Sequence, residues 1–206
     1  MESRIDALFP TALYLSVVND FQNIQKELDD CIDDIEFEIY NNKGKTHYLS
    51  DPTFKSNLVY KYNLKYFIKE LDVHLKNYLQ AINIKIESGF SYSISESWMT
   101  KFTKGDYGRM HNHGGYDISG CYYYKTSGHD GNIFFESPAS QHSDCFMHKG
   151  TYNQTYAPIK GGLLLFPGWI NHGICENITD NIRMSLSFNI TIKQPDSSFP
   201  WILIGN

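Results

Sequence analysis

From Ile82 onward the chain alternates between apolar and polar residues in short runs. Ile82 to Glu87, Phe90 to Ser95 and Ser97 to Phe102 have this period, as does Ile182 to Ile192. Further β-like runs span Ile118 to Lys125, Asn132 to Glu136, Thr151 to Ala157, Gly162 to Phe166 and Ile170 to Cys175. A two-residue period is that of a strand, whose successive side chains point to opposite faces. Turn formers separate the runs: Lys104-Gly105-Asp106, Gly128 to Gly131, Ser137-Pro138, Lys160-Gly161-Gly162 and Pro167-Gly168. Many short strands at this spacing predict a mainly β fold, a double-sheet jelly roll or barrel, with helices packed on one outer face.

The N-terminal third reads differently. Ala12 to Val18 forms a short strand, and Asn19-Asp20 caps a helix whose stripe is Ile24, Leu28, Cys31, Ile32 and Ile35. Residues 39–57 are polar and read as a surface loop. A second helix over 63–81 carries Phe67, Leu71, Leu75, Tyr78 and Leu79 on one face, and both helices are expected to cover a sheet. The 206 residues are expected to form a single domain: a strand and helical cover over 1–81, a jelly-roll core over 82–193, and an apolar tail over 194–206 that packs on the domain or in a homodimer.

Composition narrows the function classes. The net charge of −5 gives no basic surplus for a nucleic-acid binder that works by bulk charge. Thirteen Phe, 15 Tyr and 3 Trp exclude disorder. The sequence shows no membrane-length apolar run and no secretory pattern at its start. Cys31, Cys121, Cys145 and Cys175 form no CxxC pair and read as free thiols of a cytoplasmic protein. The sequons at Asn153, Asn177 and Asn189 then read as chance matches.

Three features carry chemistry. His111-Asn112-His113 places two imidazoles on one side of an extended chain, about 6.6 Å apart along it, within reach of one metal ion. Taken alone, the pair is equally compatible with a solvated loop. His172 sits in the apolar run after Pro167-Gly168; it is either a hydrogen-bonded core residue or a third ligand. Arg183, Ser185, Ser187 and Asn189 share one face of an alternating strand, which turns either to water or into a closed cavity. A buried arginine there requires an anion, and its forked donors suit a carboxylate.

Together these blocks resemble the Fe(II)/2-oxoglutarate-dependent oxygenase superfamily, whose pattern is HxD/E, then His, then Arg on a double-stranded β-helix. The resemblance is closest to the 2OG-Fe(II) oxygenase family found in marine phages and bacteria. It runs from Leu8-Phe9-Pro10-Thr11 through Ser97-Trp98, His111 to His113, Ser119 to Tyr123 and Gly131 to Pro138. Its most specific blocks are Gly162 to His172 and Arg183 to Asn189.

The resemblance implies a cupin-like jelly roll that binds Fe(II), 2-oxoglutarate and O₂ and hydroxylates a protein side chain or small molecule, releasing succinate and CO₂. A phage-encoded enzyme would act in the host cytoplasm. The resemblance also implies His111 and His172 as metal ligands and Arg183 as the anchor of the far carboxylate of 2-oxoglutarate. Tyr123 is a further contact to that carboxylate, and Ser185 shares the face of Arg183. Ser119, Cys121 and Tyr123 would point inward, Tyr122 and Tyr124 outward.

Position 113 departs from the pattern, with His where Asp or Glu is usual. His113 either completes a three-histidine site or turns away, or Asp117 reaches the metal from the next loop; ligation by His113 is the expectation. Trp98, Phe102 and Trp169 are candidate apolar walls. Lys101, Lys104 and Arg109 form a small basic cluster, and His129, His142 and His148 read as surface residues. Two rival readings are a cupin-like three-histidine dioxygenase that needs no 2-oxoglutarate and a non-catalytic jelly-roll binding module.

Overall fold

The structure, a computed structural model, describes residues 10–41, 45–84, 90–138 and 153–193. The expectations for Leu8-Phe9, residues 85–87, His142, Cys145, His148 and the 194–206 tail lie outside the described residues. The elements in chain order are β1 (Tyr14–Val17), α1 (Phe21–Asp29), a 3₁₀ turn (Ile32–Asp34), β2 (Glu38–Asn41), β3 (Lys45–Leu49), α2 (Leu58–Lys61) and α3 (Lys65–Ala81). There follow β4 (Ser91–Phe102), β5 (Gly108–His111), β6 (Ile118–Lys125), β7 (Ile133–Glu136), β8 (Asn153–Tyr156), β9 (Gly162–Pro167), β10 (His172–Ile174) and β11 (Arg183–Lys193).

Two antiparallel sheets form the jelly roll. The larger has the order β1-β9-β6-β11-β4-β3-β2, the smaller β5-β10-β7-β8. Non-sequential strands lie side by side, so each sheet is built from long-range pairings. Among them β11 pairs along β4 and β6, setting Ser185 opposite Thr100 on one side and Tyr123 on the other.

The central strands bury both faces, and the alternation of β6 shows how. Tyr122 and Tyr124 join Leu163, Leu165, Leu186 and Phe188 under the helical cover. Cys121 and Tyr123 join Leu164, Phe166, Ile133 and Phe135 between the sheets. The helix stripe over 63–81 is as expected: Phe67, Leu71, Leu75, Tyr78 and Leu79 are all buried. Their three- and four-residue spacing puts them on one side of α3. Among the described residues no helix is long and apolar enough to cross a membrane.

Several expectations differ in detail. Residues 39–57 are not simply a loop, because β2 and β3 form a hairpin there. Its strands are short, polar and interrupted, and β3 gains its place by pairing Tyr48 and Leu49 with Lys101 and Thr100. That long-range pairing leaves no local signature. The first helix ends at Asp29, and the 3₁₀ turn carries the stripe on, which keeps Cys31 and Ile35 buried. Asp20 makes no side-chain bond to the helix backbone; it accepts from the Asn23 amide instead. Residues 82–84 are not strand but follow α3, with Asn83 at φ 59°. The runs at 90–95 and 97–102 fuse into β4, bulged opposite Asn189 and Ile190.

Candidate metal centre

The smaller sheet brings the histidines together. On β10, His172 pairs with His111 of β5 on one side and Phe135 of β7 on the other. His113 lies just past β5 and is fixed through its backbone, whose N–H donates to the Gly168 carbonyl at 2.7 Å. That approach needs glycine, since a Cβ at residue 168 would collide with the backbone oxygens of Tyr116 and His113. The linking Asn112 amide donates to Asn171 Oδ1 at 2.8 Å, and Asn171 Nδ2 donates to Glu136 at 2.7 Å.

The three rings converge. Centroids lie 4.4 Å apart for His111 and His172, 5.0 Å for His111 and His113, and 5.2 Å for His113 and His172. One ring nitrogen from each falls within 4.8 Å of the others, the spacing of ligands around a single ion. Asp117 is not in this group; its Oδ2 accepts the Ile192 N–H at 2.7 Å, which turns it toward β11.

Local hydrogen bonds prepare two of the rings. His111 Nδ1 lies 2.7 Å from the Arg109 carbonyl and His172 Nδ1 lies 3.1 Å from the Ile170 carbonyl. A carbonyl only accepts, so each Nδ1 carries a hydrogen, which leaves Nε2 as the nitrogen able to ligate. Burial, then the neighbouring His111, pushes His172 down to about 3 and His113 down to about 4. Both are therefore neutral at pH 7, the form that binds a cation.

Beside the triad lies Arg183, only 1% exposed. Its guanidinium sits 4.9 Å from the Phe102 ring centroid and 5.1 Å from that of Tyr123. Neither its Nε and Nη1 nor the Tyr123 hydroxyl has a hydrogen-bond partner, and among the described residues no carboxylate forms an ion pair with it. Burial raises the Tyr123 phenol far above its usual range, so it remains a donor. Ser185 Oγ is 2.8 Å from Thr100 Oγ1. A buried cation and a buried phenol without acceptors form a socket for an anion.

The triad, Arg183 and Ser185 line one cavity of about 570 Å³, within the size range of small-ligand sites, and Tyr123 packs against Arg183 outside that lining. Trp98 and Phe102 wall it as expected, but Trp169 does not; it is 53% exposed. The basic cluster disperses: Lys101 lies over Phe37 and Tyr48, Lys104 pairs with Asp180, and Arg109 alone lines the cavity. His129 is exposed, as expected. Cys31, Cys121 and Cys175 are free thiols.

Residues 96–189 match the model of a family described as "Putative 2OG-Fe(II) oxygenase". Through these residues, somewhat under half of its length, the chain is similar to the 2OG-Fe(II) oxygenase family. The family's description names Fe(II) and 2-oxoglutarate, and the three-histidine group and the buried Arg183 suit a divalent cation and a carboxylate. Solved structures share its fold. A Pseudomonas putida prolyl-4-hydroxylase is 12% identical with TM-score 0.59, covering 89% of this chain and 94% of that one. HygX from Streptomyces hygroscopicus, with nickel and 2-oxoglutarate bound, is 10% identical with TM-score 0.58, covering 88% and 83%. The α-ketoglutarate-dependent epimerase SnoN from nogalamycin biosynthesis is 12% identical with TM-score 0.60, covering 88% and 78%. No curated protein matches the sequence.

One wall of the cavity has no counterpart among the residues the sequence singles out. Tyr40, Thr46, His47, Leu49 and Phe54 line it from the hairpin and the loop after it. His47 stacks on Phe102 at 4.8 Å, and Phe54 meets Trp98 edge-on at 5.2 Å. Phe54 holds φ at 54°, an uncommon backbone for a bulky residue. The Asp51 carboxylate steadies that loop by accepting from the N–H groups of Thr53, Lys55 and Ser56 and from the Thr53 hydroxyl.

Proposed function

We propose that His111, His113 and His172 hold Fe(II), and that Arg183, aided by Tyr123 and Ser185, anchors the far carboxylate of 2-oxoglutarate in a hydroxylase. The observation that carries this reading is the orphaned guanidinium facing the same cavity as three convergent imidazoles. The donor set fits the group. Imidazole is a good ligand for divalent iron, and three protein ligands leave coordination positions free. The forked guanidinium and the phenol supply the donors a carboxylate needs.

Bound iron and 2-oxoglutarate supply the oxidation, in which R–H, O₂ and 2-oxoglutarate become R–OH, succinate and CO₂. The chain's own work is placement. The Arg109 and Ile170 carbonyls engage Nδ1 of His111 and His172, which leaves Nε2 of each ring to ligate. Arg183 fixes one end of the cosubstrate and neutralises its charge where water cannot. Trp98, Phe102 and Phe54 keep the substrate side of the cavity apolar. A cavity this size suits a small molecule or a single side chain.

Succinate release tests the reading. Protein reconstituted anaerobically with Fe(II), then given 2-oxoglutarate and O₂, is expected to release succinate slowly without substrate and faster with a true one. Incorporation of an O₂-derived oxygen into the product identifies hydroxylation. Succinate release independent of added iron would refute it.

A further inference from the structure

Phe54 holds φ at 54°, in the left-handed region that a bulky residue avoids. Such conformations persist only where the surroundings over-determine them, and they cluster at binding and catalytic sites. Here the surroundings are built by Asp51. Its carboxylate accepts from the N–H groups of Thr53, Lys55 and Ser56, and its backbone carbonyl accepts the Phe54 N–H at 3.3 Å. What the turn achieves is the placement of one ring, which is half-buried and lines the cavity.

That ring is a rung in an aromatic ladder. Tyr40 and Phe54 meet edge-on at 6.1 Å, Phe54 and Trp98 edge-on at 5.2 Å, and Trp98 stands 5.8 Å from His113 of the triad. All four rings line the cavity. The spacings are those of favourable aromatic pairs. The first two crossings are close to perpendicular, at 78° and 85°. The rings therefore form corners rather than a stack, and a corner offers both a face and an edge to a further flat ring.

Among the described residues lining the cavity, the charged side chains are Arg183, Arg109 and Glu96. Arg183 faces the cosubstrate in the reading above, and Arg109 is exposed on β5. Glu96 accepts from the Asn189 amide at 3.0 Å and from the Tyr116 hydroxyl, both neutral donors. Tyr40, Phe54 and Trp98 bring apolar surface rather than charge to the neighbourhood of His113. We propose that Phe54 is a specificity-determining residue: with Tyr40 and Trp98 it forms a subsite beside His113 for a flat, uncharged aromatic ring of the substrate. This rests on reading the triad as the iron site.

Ligand-observed NMR on the full chain tests this, with Ni(II) and 2-oxoglutarate bound and again without them. The probes are benzyl alcohol, cyclohexylmethanol (similar in size but not flat), benzylamine and benzoate. The wild type is expected to bind benzyl alcohol in preference to the other three. Phe54→Ala is expected to weaken that binding about tenfold, through loss of an aromatic contact and its buried area. Phe54→Leu keeps apolar bulk without a flat face and is expected to lose the preference for benzyl alcohol over cyclohexylmethanol. Phe54→Gly suits a positive φ, so relief of the backbone offsets the lost ring contacts. Its melting temperature is expected within about 2 °C of the wild type, with benzyl alcohol binding weakened as in Phe54→Ala.

Unchanged benzyl alcohol affinity in Phe54→Ala overturns the proposal. A wild type that binds cyclohexylmethanol as tightly overturns the flat-ring class. Tighter binding of benzylamine or benzoate overturns the uncharged class and turns attention to Glu96 or Arg109. A Phe54→Gly variant that melts well below the wild type, together with an unchanged ring preference in Phe54→Leu, assigns Phe54 to packing and overturns its role. Wild-type protein that takes up neither Ni(II) nor 2-oxoglutarate fails the iron-site reading; if it still binds benzyl alcohol through Phe54, the ring subsite stands.

Discussion

Arg183→Ala is expected to abolish 2-oxoglutarate binding and leave the metal in place. The guanidinium is 1% exposed and lacks partners for two of its nitrogens. A carboxylate bound there would make a buried, charge-assisted pair, and deleting one member of such a pair costs about 3–5 kcal/mol. That corresponds to a rise of roughly 150- to 5,000-fold in the Kd for 2-oxoglutarate. The ligand-free protein is expected to lose no stability, because the deletion also removes an unpaired buried charge. Arg183→Lys keeps the charge without the fork and should fall between the two. Calorimetry on metal-loaded protein reads all three. An Arg183→Ala variant that still oxidises its substrate with no 2-oxoglutarate present would support the three-histidine dioxygenase instead.

His172→Ala is expected to lose the metal. Its ring is 5% exposed, packed 4.8 Å from Phe166 and 4.4 Å from His111, with Nδ1 tied to the Ile170 carbonyl. No other described His, Cys, Asp or Glu joins the group that would take its place. Metal affinity should therefore fall by more than the about 10–100-fold typical of outer partners. His113→Ala should cost less, since that ring is half-buried and lacks a carbonyl to fix its tautomer. Metal content after reconstitution and dialysis reads the order. Equal iron retention by His172→Ala and the wild type would remove His172 from the site.

The core and the site were legible to different degrees, for physical reasons. The β11 alternation is visible because each Arg183-side residue is polar and each Met184-side residue apolar. Which of those faces meets water is not a local property. The polar face is buried because the smaller sheet closes over it, and that sheet is assembled from strands far apart in sequence. His111 and His172 stood out by residue type, yet their meeting depends on one antiparallel register, His172 opposite His111.

The missed wall has the same origin. His47 and Phe54 lie in a polar stretch without periodicity, and only the docking of β3 on β4 and the hydrogen bonds to Asp51 give that stretch a shape. Trp169 failed in the opposite sense, since an aromatic residue next to a conspicuous turn suggested burial that the turn does not give.

The most direct measurement is an anaerobic titration of the wild-type chain, first with Fe(II) and then with 2-oxoglutarate. One equivalent of iron per chain is predicted, followed by one equivalent of 2-oxoglutarate that binds tightly only after the metal. A chain that takes up no iron, or that binds 2-oxoglutarate equally well without it, would contradict the account.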